Sequence, residues 1–212
     1  PDTFAFRVRH ATVTGATVGA IVHRRDNVLL PRFIAAARDL ADAGCIGIVS
    51  TCGFLIRWQR EMTQALPVPV LTSALLQVPL VERTLPAGRV MGVVTYSALD
   101  LDRDTLAAAG IGADVHVEGV APDSYFGRTI RNGVAELDRT RMEQDVVVAA
   151  RRLVENHPRV GALVLECANM PPYRDAVAAA VGLPVYDAAQ LVAWFYAGLP
   201  AVVARYGRSD LW

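Results

Sequence analysis

Short β-branched runs alternate with longer stretches rich in alanine and leucine along most of the chain. The runs predict strands at 4–9, 17–23, 46–50, 68–71, 90–95, 114–117, 161–165 and 184–186. The stretches between them predict helices at 31–43, 55–65, 73–85, 103–109, 138–156, 172–181 and 188–198. The helical signal is clearest over 139–155. There Met142, Val146, Ala149, Ala150 and Leu153 share one face, charged residues take the other, and Asp138 is placed to cap the first turn. Strands alternating with helices predict an α/β fold with a parallel sheet covered on both faces.

The pattern repeats once. Ile48-Val49 aligns with Leu163-Val164, and Pro69-Val70-Leu71-Thr72 aligns with Pro184-Val185-Tyr186-Asp187, both at an ungapped offset of 115 positions. The same offset places Cys52 on Cys167. Each cysteine follows an apolar run and precedes a helix, in "VSTCGFLIRW" and "GALVLECANMPPY". One βαβ unit is therefore written twice, with a thiol beyond the carboxyl end of one strand in each copy. Ligands of open α/β sheets bind at that edge. Two copies facing each other across a pseudo-twofold axis would bring the thiols to one cleft. The lobes are expected to be residues 1–86 with 189–212, and residues 87–188, with the turn at 85–89 as the crossing.

Composition narrows the chemistry. The chain is 53% hydrophobic and 20% charged, with a formal net charge of zero, so it is globular and carries no basic footprint for nucleic acid or an anionic membrane. Every basic residue other than histidine is an arginine. Without lysine there is no Schiff base and no P-loop, and "GATVG" at 15–19 also lacks phosphate-loop spacing. Three cysteines (Cys45, Cys52 and Cys167) make no disulfide framework and point to a reducing cytoplasm. Cys45 has Val160 at its repeat position and is expected to be a core thiol. His10, His23, His116 and His157 lack zinc spacing, and neither metal nor cofactor is expected. The apolar stretch 188–204 is interrupted by Gln190, Gly198 and Pro200, which predicts a core helix rather than a membrane span.

Two opposed thiols suit proton transfer at a carbon acid. One thiolate takes a proton from one face and the opposing thiol returns one to the other. Helix N-termini lower a thiol pKa, and both cysteines precede helices. The N–H groups of Gly53, Phe54, Ala168 and Asn169 are candidates to hold a substrate carboxylate and the enediolate formed from it.

The paired "STCGF" and "LECANMPPY", with "RVMGVVTYSA" and "GLPVYD" in matching order, resemble the aspartate/glutamate racemase superfamily. That group includes hydantoin racemase, maleate isomerase and arylmalonate decarboxylase. The resemblance implies two pseudo-symmetric α/β lobes with the site between them. It implies Cys52 and Cys167 as catalytic acid/base residues, and substrate-holding groups near Thr72, Ser73, Thr95, Ser97 and Asn169. The expected activity is pyridoxal-phosphate-independent racemisation or epimerisation next to a carboxylate, in a homodimer. Two alternatives stay open. One is cis–trans isomerisation or decarboxylation by a single cysteine; the other is a non-catalytic module that binds a small acid. Amino-acid racemases follow the first cysteine with Asn-Thr, and they place Gly before and Thr-His after the second. Gly53-Phe54, Glu166 and Ala168-Asn169 depart from that pattern and point away from an amino-acid substrate. The family's further N-terminal strand is not seen before Pro1, so an upstream segment is expected.

Four other features complete the reading. Asp187 either orients a thiol or caps the helix at Ala188. Glu166 either raises the Cys167 pKa by like charge or points to solvent, and solvent is expected. Arg57 and Arg128 are candidates to meet a carboxylate. Trp194, Phe195 and Tyr196 are expected in lobe packing or a dimer contact.

Overall fold

The computed structural model describes residues 3–133 and 136–206. Two parallel sheets organise it. The smaller pairs β1 (Ile48–Val49) with β2 (Val70–Leu71). The larger has the order β4-β3-β5-β6, from β3 (Val90–Thr95), β4 (Val115–Gly119), β5 (Val160–Leu165) and β6 (Val185–Tyr186). Around them lie α1 (Leu30–Asp42), α2 (Gln59–Ala65), α3 (Val78–Glu82), α4 (Arg103–Ala108), α5 (Tyr125–Asn132), α6 (Arg139–Asn156), α7 (Arg174–Val181) and α8 (Ala188–Tyr206). The α/β class with parallel sheets is as the alternation predicts. Positions 1–2 and 207–212 of the predicted first lobe, and 134–135 of the second, lie outside the described residues.

The repeat is realised in register. Ile48 pairs with Val70 in one sheet and Leu163 with Val185 in the other, the two pairs the sequence offset equates. Ile48 N–H donates to the Pro69 carbonyl at 2.9 Å, and Leu163 N–H to the Pro184 carbonyl at 2.9 Å. The offset also carries the start of α2, Gln59, onto the start of α7, Arg174. The residues before them, Trp58 and Tyr173, share nearly one backbone conformation (φ −108° and −107°).

Burial explains the larger sheet. Every residue of β3 is buried, as expected of a strand covered on both faces. Gly92 permits that cover: a Cβ there would lie 2.6 Å from Leu163 Cδ2 and 2.9 Å from Leu153 Cδ2. Leu153 belongs to the α6 face that the sequence predicts, and Met142, Val146, Ala149 and Ala150 are buried beside it. Asp138 caps α6 by accepting the Arg141 N–H at 3.1 Å. One hydrophobic core runs through both sheets, from Ile48 and Val70 to Val93 and Val164. Cys45 packs partly buried against it. Among the described residues, no helix is long and apolar enough to cross a membrane.

Two predicted strands are not strands. Residues 4–9 form an irregular segment in which Phe6 stacks on Tyr196 with ring centroids 3.7 Å apart. Residues 19–23 wind into a π-helical turn that buries Ala20, Ile21 and Val22 in succession. A short apolar run has the same pattern in a buried strand or a buried helical turn, and here Thr17 Oγ1 accepts the Ala20 N–H at 3.2 Å and favours the turn. Three predicted helices begin instead as 3₁₀ turns, Gly53–Trp58 before α2, Ala74–Gln77 before α3 and Pro171–Tyr173 before α7. Helix α8 runs past the predicted end at Gly198.

Candidate active site

The thiol of Cys52 is set by the end of β1. Ser50 Oγ lies 2.6 Å from the Thr72 carbonyl and 2.9 Å from the Cys52 carbonyl, which ties the ends of β1 and β2 together beneath it. Cys52 itself is extended (φ −140°), and the chain then turns into the Gly53–Trp58 segment, which is buried at all positions but Arg57. Beyond β5, the Glu166 N–H continues the ladder by donating to the Val94 carbonyl at 2.9 Å. Cys167 follows, and its carbonyl accepts the Met170 N–H at 2.9 Å. Asn169 Nδ2 stands 3.7 Å from Cys167 Sγ.

Both thiols line one cavity of about 460 Å³. Gly53, Phe54, Tyr96, Glu166 and Asn169 line it with them, and Val13, Ile21, Phe33 and Ile130 supply apolar wall. The sequence-predicted residues Cys52, Gly53, Phe54, Cys167 and Asn169 are thus brought together. The structure does not bring Thr72, Ser73, Thr95, Ser97 or Ala168 to this wall. The hydroxyls are engaged elsewhere. Thr72, fully buried, donates to Gln59 Oε1 at 2.7 Å. Ser73 caps the Ala74–Gln77 turn by accepting the Leu75 N–H, and Ser97 Oγ bonds Asp100 Oδ2 at 2.6 Å.

Glu166 is a correction to the sequence reading. It does not face solvent but is 1% exposed and lines the cavity. Thr95 Oγ1 donates to its Oε2 at 2.7 Å, and its Oε1 is buried with no hydrogen-bond partner. Gly53 makes room for it: a Cβ on Gly53 would lie 2.1 Å from Oε1. Strand alternation gives Glu166 no solvent face because Ala162 to Leu165 of β5 are buried in succession, on both faces, and the ladder runs on through the Glu166 N–H. Tyr96 is a second residue the sequence reading missed. It lines the cavity, and its Oη is buried without a hydrogen-bond partner. Its position between the two hydroxyls singled out, Thr95 and Ser97, was the available signal.

Burial sets the electrostatics. It pushes the Cys52 thiol up to about 12, the Glu166 charge adds to this, and the Phe54 and Leu55 N–H groups and Arg57 oppose it. Burial pushes Cys167 up to about 12 as well, Glu166 again adding and Asn169 opposing. The expected lowering by helix N-termini is present but outweighed. Burial raises Glu166 to about 7, against the Thr95 hydroxyl and the Tyr96 N–H. Of the three groups, the carboxyl is held nearest neutrality.

Other candidates resolve by their partners. Asp187 caps α8, accepting the Gln190 N–H at 2.9 Å while its own N–H meets Gln190 Oε1 at 3.2 Å. Arg57 donates to the Ile21 carbonyl, and exposed Arg128 donates to the Asp123 carbonyl, so neither cation stands among the cavity-lining residues. Phe195 packs on Gly47, where a Cβ would lie 2.9 Å from its ring, and Trp194 is exposed.

The model of the Asp/Glu/hydantoin racemase family matches residues 13–196. The chain belongs to that family. Solved members share the fold. Arylmalonate decarboxylase superposes with a TM-score of 0.56 at 16% identity, over 82% of this chain and 76% of that one. Allantoin racemase from Klebsiella pneumoniae superposes at 0.58 and 17%, over 85% of this chain and 69% of that one. Curated relatives carry a different activity in their names. A dimethylsulfoniopropionate lyase from Durusdinium sp. clade D is 27% identical over 99% of this chain and 71% of its own length. Dimethylsulfoniopropionate lyase 5 from Emiliania huxleyi is 28% identical over 91% of this chain but only 40% of its own. These names overturn the expected racemase activity and the isomerase class. The relatives that match nearly the whole chain are lyases, and the family membership carries the fold.

Proposed function

We propose that this protein is a lyase that removes a β-substituent from a short carboxylate, with dimethylsulfoniopropionate as its substrate. The observation that carries the reading is the similarity to dimethylsulfoniopropionate lyases over 99% of the chain in the Durusdinium case. The cavity is consistent with it. In such an elimination the proton next to the carboxylate passes to a base. Its C–H electrons form the new C=C bond, and the C–S electrons leave with sulfur. The products are dimethyl sulfide, acrylate and a proton. A sulfonium departs as a neutral sulfide, so the leaving group needs no acid. The site has to remove one proton and return none.

The walls suit the two ends of this substrate. Phe33, Phe54 and Tyr96 offer aromatic surface to a methylated cation, and Glu166 is an acidic side chain beside them. Exposed Arg9 also lines the cavity and offers a cation to the carboxylate end. The test is direct. Purified protein is incubated with dimethylsulfoniopropionate, the headspace is assayed for dimethyl sulfide and the solution for acrylate by proton NMR. Equimolar release of both is the expected result. Absence of both at micromolar enzyme would overturn the reading.

A further inference from the structure

Resting on the lyase reading of this cavity, we propose that residues 9–25 form a strap that closes it. His23 and Arg25 latch the strap to Asp100 and Asp102 beyond β3 and release it for substrate entry and product exit. The strap is part of the wall. Arg9, Val13, Val18, Ile21 and Val22 line the cavity, as do Tyr96 and Cys167 from the part of the chain that carries the larger sheet. Its end is tied to both parts. Arg57, in the turn after Cys52, donates to the Ile21 carbonyl. From the loop after β3, Asp100 Oδ2 meets His23 Nδ1 at 2.8 Å, and Asp102 Oδ2 pairs with the Arg25 guanidinium, which also donates to the Asp100 carbonyl at 3.0 Å. Among the described residues, these two ion pairs are the ones that cross from the smaller sheet's part of the chain to the larger sheet's part.

The catches are held ready. Ser97 Oγ fixes Asp100 Oδ2 at 2.6 Å. Asp102 commits Oδ1 to capping α4, accepting the Thr105 N–H at 2.9 Å, which leaves Oδ2 for Arg25. On the strap side, Arg25 has φ +53° and is the one non-glycine residue with a positive φ among the described residues. The Arg24 N–H donates to the Gly19 carbonyl and the Asp26 N–H to the Ala20 carbonyl, both at 2.9 Å, so the chain is pinned on each side of it. A left-handed backbone is unfavourable for a residue with a Cβ, persists only where its surroundings impose it, and is concentrated at ligand clamps and switch segments. The latch is nevertheless releasable. Its four side chains are all part exposed, so water and salt compete for them. The tie of Gln77 Nε2 to the Asp187 carbonyl at 3.0 Å, between the same two parts, is buried and has no such competitor. Opening therefore breaks the His23 and Arg25 pairs while the strap stays on Arg57.

The experiment compares wild type, Arg25→Ala, Arg25→Lys and Asp102→Asn by hydrogen-exchange mass spectrometry and by kinetics of dimethyl sulfide release. Asp102→Asn removes the charge and keeps the α4 cap, because Asn and Asp cap equally well. The strap is read on a peptide covering 16–26, whose Ile21, Arg24 and Asp26 amides are hydrogen-bonded, with α6 as the reference. In Arg25→Ala and Asp102→Asn, exchange of the strap peptide should rise about three- to fivefold, the scale of a part-exposed ion pair, while α6 stays unchanged. Arg25→Lys keeps the charge but not the fork that spans Asp102 and the Asp100 carbonyl, and should fall between. Sodium chloride at about 0.5 M should bring wild type toward the variants and leave the variants where they are. KM for dimethylsulfoniopropionate should rise by a similar factor with kcat undiminished, a split that general destabilisation does not produce. Unmoved strap exchange, a rise shared equally by α6, or an unchanged KM overturns the latch and leaves the lyase reading standing. A wild type that releases no dimethyl sulfide overturns the lyase reading itself, and the latch with it.

Discussion

Replacing Glu166 with glutamine should stabilise the protein increasingly as pH rises from about 4.5 to about 7, and then by a constant amount above that. The carboxyl has an ordinary pKa of 4.5 and is raised to about 7 by burial. Between those values the folded protein holds a proton that the unfolded chain has released. The unfolded state therefore binds fewer protons, and stability falls as pH rises through this window. At 1.36 kcal/mol per pKa unit, the loss accumulates to about 3 kcal/mol by pH 8. Glutamine cannot ionise, so the variant escapes it. Its amide brings a new unpartnered donor to the Oε1 position, but that offset does not change with pH. The measurement is urea unfolding of both proteins at several pH values from 4.5 to 8.5, followed by tryptophan fluorescence of buried Trp58. The informative quantity is the difference in stability between them, from which pH effects common to both proteins cancel. It should grow by about 3 kcal/mol across the window, equivalent to roughly 6–12 °C in Tm for a domain of this size. A difference that stays flat with pH, or that shrinks as pH rises, would show that the carboxyl titrates normally in the folded protein and would refute the electrostatics of the site.

Four further outcomes follow from the geometry. With both thiols pushed up to about 12 from an ordinary 9, their thiolate fraction at pH 8 falls by about 10³, partly offset by greater thiolate nucleophilicity. Iodoacetamide should therefore label Cys52 and Cys167 at least tenfold more slowly in the folded protein than in urea, read by peptide mass spectrometry; equal rates would contradict the burial argument. Gly53→Ala places a Cβ 2.1 Å from Glu166 Oε1 and 2.6 Å from the Glu166 carbonyl, so it should cost about 1–3 kcal/mol in urea unfolding, and an unchanged stability would show that Glu166 moves aside freely. Gln59→Ala should destabilise the protein by about 1–3 kcal/mol in the same assay, because it orphans both the buried Thr72 hydroxyl and the Thr72 N–H. Arg174→Ala, at the equivalent repeat position, loses a 2.7 Å pair with exposed Asp175 and a 3.9 Å contact to Asp187, neither of which leaves a buried group newly orphaned, and should cost less than Gln59→Ala; the reverse order would mean that the two repeats are not held as their contacts suggest.

The repeat was legible because strand register leaves a fixed imprint. Pro-Val pairs at 69–70 and 184–185 enter the second strand of each unit, and the same offset then sets the ladder partners and the starts of α2 and α7. What the sequence hid is the use made of each polar side chain. Hydroxyls at strand ends look like substrate ligands, but the same positions begin turns, and Ser73 serves its own turn instead. Glu166 was misplaced by giving β5 a solvent face, when the strand is buried on both sides. Helix α5 escaped notice because its sequence, YFGRTIRN, mixes glycine, threonine and asparagine and has weak propensity. A local cap and one tertiary contact supply the difference: Ser124 Oγ accepts the Gly127 N–H at 3.0 Å, and Asp145 Oδ2 of α6 accepts the Phe126 N–H at 2.8 Å.

Family fold and relatives' chemistry diverge at a point that can be located. Racemisation needs two proton carriers on opposite faces of one carbon, and it runs in both directions only if their proton affinities are comparable. Two cysteines at equivalent repeat positions look like such a pair. Glu166 breaks the symmetry of the site, because its repeat counterpart is Thr51, which carries no charge and is exposed. The carboxylate lies beside both thiols, raises both, and is itself the easiest of the three to ionise. With that carboxylate beside them, the two thiols are not the matched pair in equivalent surroundings that returning a proton requires. An elimination asks less of the site, because the electrons released by deprotonation are drawn off by a departing neutral group. In the proposed elimination the sulfonium supplies that sink, so an asymmetric site on a symmetric fold is sufficient.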